Sequence, residues 1–349
     1  PAVLAEALRR FDYAAARREQ AALRAQGRLV GIGIASFCEL SGPGWESATV
    51  RAHPDGSVTV LCGIAPSGQG HATMLAQVVG EVLQLPLERI RAITGDTAAV
   101  QQGIGTFGSR STALGGSAAY LAAQEVLEKA RLIAAHALEV DPQDLDYHDG
   151  VFSVRGVPDR SISWERVTVN AYVMEGPPGG IEPGLEVTRF FNPGRRNVPF
   201  GVHLAMVEVD PETGEIRILR YLAVDDSGRI VNPLSAEGQI HGSVAQGIGQ
   251  ALYEAIVYSE TGQPLTQNFL DYVVPRATQL PSIETAHCET PSPINPLGVK
   301  GIGEAGTTAG PPAIVNAVLD ALRPLGIQHL DMPLPPERVW QAIRAAQGC

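Results

Sequence analysis

The sequence predicts an α+β fold of mixed sheets with packed helices. Three observations carry this expectation. Residues 48–63 (ATVRAHPDGSVTVLCG) and 202–226 (VHLAMVEVDPETGEIRILRYLAVDD) each hold two β-prone runs around a proline-containing turn, as β-hairpins do. Each hairpin is followed by a loop of small residues and then by apolar residues at helical spacing. Hairpins alternating with helices point to α+β layers rather than to a doubly wound parallel sheet.

The elements follow in order. Residues 3–26 alternate Ala/Leu with Arg/Glu, which predicts one amphipathic helix without the apolar centre of a secretion signal. RLVGIGIASFC (28–38) reads as a strand. The first hairpin turns at Pro54-Asp55-Gly56. Met74, Leu75, Val78, Val79, Val82 and Leu83 then recur as on a helix that stops near Pro86. RIRAITGDT is a short strand and turn, and an alanine-rich helix is expected over about 116–138. VFSVRGVP (151–158) is strand-like. Residues 175–200, rich in glycine and proline, read as a surface excursion. After the second hairpin, which turns at Pro211–Gly214, a capped helix covers 232–258. The stretch beyond it reads mostly as loop. Pro311-Pro312 then open a helix over 311–323, and a last helix runs from 335. The recurring order of strand pair, small-residue loop and helix leaves open two similar halves.

Composition narrows the function. Apolar residues are 44% and charged residues 18% of 349, enough for a sizeable core. A net charge of −11 argues against nucleic acid or an anionic membrane as main partner. No run reaches the ~18 apolar residues that span a bilayer. Cys38, Cys62, Cys288 and Cys349 form no C-x-x-C pair. They read as reduced buried or terminal thiols of a cytoplasmic protein, not as a zinc or iron–sulfur site.

Four small-residue loops, 67–73, 103–118, 232–242 and 298–312, each run into a helix. Helix N-termini present unsatisfied N–H groups and partial positive charge, and glycine admits a ligand close to the backbone. Four such loops suggest an elongated, phosphate-bearing ligand. GIGTFG (103–108) and GIGEAG (301–306) match the dinucleotide fingerprint literally. The strand before the first ends too early, and prolines 291, 293 and 296 precede the second, so a Rossmann site is not expected. There is no G-K-[ST] and no G-x-S-x-G. Ser36, Ser67, Ser109 or Ser111 with His71 or His241 could form a triad only on paper. Asp225-Asp226 could bind a divalent ion, but neighbours on a strand face opposite ways, so a strand-end turn is the plainer reading.

GQGHATMLAQV, DDSGRIVNPLSAEGQIHGSVAQGIGQAL and GVKGIGEAGTTAGPPAIVNAV resemble the molybdenum-binding large subunit of the xanthine dehydrogenase / aldehyde oxidase / CO dehydrogenase family, in its C-terminal half. GTFGSRSTALGGSAA resembles the CO dehydrogenase-like branch in particular. The likeness covers roughly residues 28–345. Ser67 departs from it, standing where that branch often has glutamine.

The resemblance implies a molybdenum-cofactor-binding domain, with a helical linker over 1–27 and two domain halves over 28–200 and 201–349. Gly68, Gln69, Gly70 and His71 would line the molybdopterin, in the cytosine dinucleotide form usual in bacteria. Gln69, not a firm ligand, and Glu304 would stand near the metal. Thr106, Phe107, Gly108, Ser109, Arg110, Ser111 and Thr112 would supply donors to pterin, pyrophosphate and substrate. Asn232 and Gln239 would hydrogen-bond the cofactor, and Lys300, Gly301 and Gly303 would embrace its pterin end. Glu304 would be the catalytic base. In this chemistry oxygen from water enters an electron-poor carbon, and the attacking hydroxyl is a poor nucleophile until it loses its proton.

The substrate implied is an aldehyde or N-heteroaromatic compound. Carbon monoxide would need a cysteine-bearing loop that the sequence does not contain. Family subunits are about twice as long, so the resemblance implies partner chains: the N-terminal half, a 2Fe–2S subunit and a FAD subunit, in a dimer of heteromers. Alone, the chain is expected to be inactive. A non-catalytic cofactor scaffold or delivery protein is the alternative, and a metal-free hydrolase using Glu304 a weaker one. A further reading makes Glu304 only a stabilising acid at a helix N-terminus.

Overall fold

Two four-stranded sheets built to one plan organise the chain. The computed structural model describes residues 1–100, 102–173 and 181–348. Helices α1 (Ala2–Arg10) and α2 (Tyr13–Ala25) come first, then β1 (Leu29–Cys38), β2 (Glu46–Ala52), β3 (Val58–Cys62), α3 (His71–Leu83), β4 (Ile90–Thr94) and α4 (Ser117–Leu138). A small antiparallel sheet of β5 (Leu145–His148), β6 (Val151–Val154) and β7 (Val157–Ser163) precedes α5 (Trp164–Val173) and β8 (Leu185–Phe191). The rest is β9 (Phe200–Val209), β10 (Ile216–Asp226), α6 (Pro233–Leu252), β11 (Ile283–His287), α7 (Ala305–Leu322) and α8 (Pro336–Gln347).

The strand orders are β4-β3-β2-β8 and β11-β10-β9-β1. In each sheet a hairpin is antiparallel, its second strand pairs in parallel with the next strand, and an outer strand closes the far edge antiparallel. In each, one helix follows the hairpin and another follows the parallel strand: α3 and α4 in one, α6 and α7 in the other. The expected mixed α+β layering is therefore observed. β1, which the sequence groups with residues 28–200, lies instead along β9, from Leu29 opposite Val209 to Cys38 opposite Phe200. Helices α1 and α2 pack on that same sheet through Val3, Ala7, Phe11 and Ala16.

Several expected elements differ. The helix over 3–26 is two helices, because Asp12 adopts a left-handed conformation and caps α2 by accepting from Ala15 N. Leu185–Phe191, inside the expected excursion, is a strand whose partner is β2; residues 175–180 of that excursion lie outside the described residues. The helix over 232–258 stops at Leu252. β11 adds a strand in the stretch read as loop. The helix expected at 311 begins at Ala305, with Pro311 and Pro312 inside it. Cys62 is buried, Cys288 half-buried and Cys38 exposed, all free thiols; Cys349 lies outside the described residues.

The contact that sets the site is between β1 and α7. A Cβ on Gly31 would lie 1.9 Å from the Ala317 carbonyl oxygen, and one on Gly33 2.0 Å from that of Ala313. Only glycine lets backbone meet backbone this closely. Alanine and glycine face β1 along α7, and Asn316 Nδ2 donates to Ile34 O at 3.0 Å. On its other side α7 meets α6 just as closely: a Cβ on Gly306 would lie 2.3 Å from Val244 N. Gly33→Val should therefore destabilise the chain by at least the ~1–3 kcal/mol typical of overpacking. Urea unfolding checks this, and an unchanged midpoint would contradict the contact.

Candidate active site

Because the two sheets share one plan, each sends two loops from strand ends into helix starts, and all four loops meet. Residues 63–70 join β3 to α3, 95–111 lead from β4 towards α4, 227–232 join β10 to α6, and 288–304 join β11 to α7. They enclose a cavity of about 250 Å³. Its wall includes Gly70 and His71, Asn232 and Ser235, Gly303 and Glu304 at three helix starts, and Ser111 and Thr112, where a π-helical turn (Thr112–Gly116) runs into α4. Four positive dipole ends converging on one cavity favour an anionic, elongated ligand.

Each loop has a local reason for its shape. Gly68 (φ +97°) and Gly70 (φ +77°) turn the chain into α3 in conformations that favour glycine. Asn232 caps α6, accepting from Ser235 N at 2.8 Å and donating through Nδ2 to Gln77. Thr106 Oγ1 accepts from Ala65 N at 3.0 Å and shares a hydrogen bond with Ser111 Oγ, tying the second loop to the first. A Cβ on Gly301 would lie 2.6 Å from Ser109 Cβ, so glycine there lets the fourth loop lie against the second.

Glu304 stands where that fourth loop meets the second. It occupies the N-cap position of α7 but makes no side-chain capping bond. Its carboxylate instead accepts from Ser109 Oγ at 2.8 Å. Ser109 itself has φ +55°, a strained conformation for a residue with a side chain, of the kind that clusters at functional sites. Glu304 therefore stands at the helix N-terminus, where its charge favours the dipole, without capping it through its side chain.

Of the predicted cofactor residues, the cavity wall gathers Gln69, Gly70, His71, Thr106, Phe107, Gly108, Ser109, Ser111, Thr112, Asn232, Gln239, Lys300, Gly301, Gly303 and Glu304. Gly68 and Arg110 are not on it. Arg110 is fully buried beneath its loop, where Nη1 donates to Glu46 Oε1 at 2.7 Å and Nη2 to Trp45 O. Glu46 Oε1 also accepts from Ile104 N and Gly105 N, so this pair moulds the loop rather than meeting a ligand. Lys300 lines the cavity with its charge already engaged, by Asp226 at 2.9 Å and by the Phe200 ring. Asp226 is surrounded by donors. Burial opposes its ionisation, yet hydrogen bonds from Thr290, Lys300 and Gly228 hold its carboxyl below the usual range.

The competing sites do not form. Asp225 faces His203 at 3.2 Å while Asp226 faces Lys300, so the two point apart. Among the described residues no cluster of His, Cys, Asp and Glu could hold a metal ion. None of the serine hydroxyls is hydrogen-bonded to His71 or His241 among those residues. Ser227, Arg229 and Ser235 line the cavity without having been singled out by sequence; their signal was position, inside and beside the loop before α6.

The wall has polar atoms waiting for a ligand. His71 Nδ1 and Ser227 Oγ are buried there without a hydrogen-bond partner. Burial, opposed by a hydrogen bond to Ala65, lowers the His71 pKa, so its ring is neutral and can accept or donate. Unpaired buried polar atoms, a glycine cradle and four helix starts fit a molybdopterin.

The comparisons agree. Residues 6–281 match the molybdopterin cofactor-binding domain family. The carbon monoxide dehydrogenase large chain of Hydrogenophaga pseudoflava is 39% identical over 98% of this chain and 44% of its own length. The nicotine 6-hydroxylase large subunit of Paenarthrobacter nicotinovorans is 38% identical over 97% of this chain and 43% of its own. The crystal structure of quinoline 2-oxidoreductase from Pseudomonas putida 86 superposes with a TM-score of 0.91 at 36% identity, covering 98% of this chain and 45% of that one. The chain belongs to the molybdopterin cofactor-binding domain family. It spans less than half the length of these relatives. No helix among the described residues is long and apolar enough to cross a membrane.

Glu46→Ala should strand the Arg110 charge in the core and cost ~3–5 kcal/mol, the usual loss when one partner of a buried pair is removed. Urea denaturation measures it. A loss within the noise of the midpoint would mean that the loop is not held by this pair.

Proposed function

We propose that the chain is the molybdopterin-binding part of a molybdenum hydroxylase acting on an aldehyde or N-heteroaromatic substrate. The observation that carries this is Glu304. It is a carboxylate on the wall of a cavity made of helix starts, held by Ser109 Oγ at 2.8 Å and not spent on capping its own helix. The names of two relatives, a nicotine hydroxylase and a quinoline oxidoreductase, support an N-heteroaromatic substrate.

When bound, the cofactor supplies the redox chemistry, taking two electrons from the substrate carbon as oxygen from water is inserted. The positive ends of the four helices, with the backbone N–H groups still free, among the described residues, at the start of α3 and before α4, would hold its anionic parts, the cytosine dinucleotide pyrophosphate among them. Gln69, Thr112 and Gln239 would orient it, and Lys300, Gly301 and Gly303 would lie along its pterin end. His71 Nδ1 and Ser227 Oγ would gain their missing partners. Glu304 takes the proton of the attacking hydroxyl, and Ser109 keeps the carboxylate aimed into the cavity. Its small neighbour on the wall, Gly303, leaves room for substrate beside it.

The rest of the machine lies on partners: the other half of the molybdenum subunit, a 2Fe–2S chain and a FAD chain, in a cytoplasmic complex. An apolar surface supports such docking. Phe269 is 84% and Leu270 91% exposed, in the same 253–274 stretch as exposed Ile256, Tyr258 and Leu265. Clustered apolar exposure of this kind marks interaction surfaces.

In the complex, Glu304→Gln should lower turnover by ~10²–10⁴-fold, the usual contribution of a general base, with molybdenum retained. A dye-linked assay beside elemental analysis reads both. Unchanged turnover would sink the base assignment and favour a cofactor scaffold. Leu270→Asp with Phe269→Asp should abolish co-purification of partner chains while leaving the melting temperature of the isolated chain unchanged. Undiminished capture of partners would place docking elsewhere.

A further inference from the structure

Glu304 has a second acid behind it. β1 and α7 run past each other in opposite directions, with Gly31 against Ala317 and Gly33 against Ala313. Farther along, Phe37 packs with Ala305 and Ala309. Alternate residues of a strand share a face, so Glu39 continues this row and reaches the start of α7. Its N–H donates to Pro199 O at 3.0 Å, which holds the strand end in place. There the Glu39 carboxyl lies close enough to Glu304 for the two charges to act on each other. Two ionised carboxylates repel and only accept, so a hydrogen bond between them forms only when one carries a proton. Glu304 is on the cavity wall; Glu39 is not.

The charged surroundings of Glu39 are few. Glu304 faces it from α7, and the Arg196 guanidinium faces it from the segment before β9, anchored on Ser41 O at 2.6 Å and Leu40 O at 2.8 Å. Burial, then the Glu304 charge and hydrogen bond, push the Glu39 carboxyl from 4.5 up to about 7, with Arg196 opposing.

We propose that Glu39 is the positioning residue of the base: the two carboxyl groups share one proton, and Glu39 fixes Glu304 from behind, out of reach of substrate. When Glu304 takes up a second proton during turnover, Glu39 releases the first to water, and the pair returns to its one-proton state. The catalytic part rests on the hydroxylase reading above; the sharing of the proton does not.

Two experiments separate these parts. The first uses the full chain without cofactor, comparing wild type, Glu39→Gln, Glu304→Gln and the double variant by urea unfolding between about pH 5 and about pH 8. A carboxyl that titrates higher folded than unfolded stabilises the fold at low pH and loses that contribution as pH rises through its folded pKa, here from 4.5 through about 7. The wild-type midpoint should fall across this window relative to Glu39→Gln. The two single variants should also be non-additive, as for groups in contact. Parallel pH dependences with additive effects would overturn the shared proton.

The second experiment measures kcat and KM against pH in the complex. Wild type should show a step near pH 7 in kcat that Glu39→Gln loses, with KM unchanged. A variant that keeps the step, or moves only KM, would overturn the positioning role. A complex without molybdenum would overturn the hydroxylase reading, while the unfolding result would still decide the pairing.

Discussion

The site depends on how closely α7 lies on β1 and α6. Its glycine and alanine face touches backbone on both sides, at Gly31 and Gly33 of β1 and at Val244 and Gly247 of α6. Such contact has no slack, since a packed interior does not absorb even one extra methyl without movement. The start of α7 is therefore fixed relative to the end of β1 and the middle of α6. Glu304 sits at that start, Glu39 at that strand end and Gln239 on that helix. The Glu304 carboxylate is thus placed by the main-chain framework, with Ser109 Oγ donating to it.

Electrostatics divides between the cavity and its support. At the wall the positive ends of four helices are joined by the Arg229 side chain, while two other cations are engaged within the protein: Lys300 by Asp226 and Arg110 by Glu46. Both of those pairs lie under loops, where a charge without a partner would be expensive. They shape the cradle that the N–H groups line. The overall charge of −11 does not prevent anion binding, because the attraction is local to the helix starts.

Much of this was legible. Both hairpins, the long alanine-rich helix and the four glycine loops follow from alternation, spacing and turn residues, and most of the residues drawn from the resemblance do meet in one cavity. What was hidden has physical causes. The Ala/Leu/Arg pattern continues across Phe11 and Asp12, so the break between α1 and α2 leaves no mark except an aspartate able to turn left-handed and cap. Pro311-Pro312 usually open a helix. Here Ala305–Gly310 form an earlier turn because α6 receives them, with Ser243 Oγ accepting from Gly306 N at 3.0 Å. β8 was obscured by the prolines and glycines around it. Arg110 looked like a ligand group because it lies in a ligand loop; its partner Glu46 is far off in sequence. Glu39 has no local motif at all, since only the register of β1 on α7 brings it to Glu304.

Four helix starts around one cavity, with Glu304 on its wall, are proposed to hold a molybdenum cofactor. The most direct test is the molybdenum content of the complex drawn from its native host through this chain, by elemental mass spectrometry. The expected result is near-stoichiometric molybdenum together with iron from the partner chain. A complex with all partners present and no molybdenum would contradict the account.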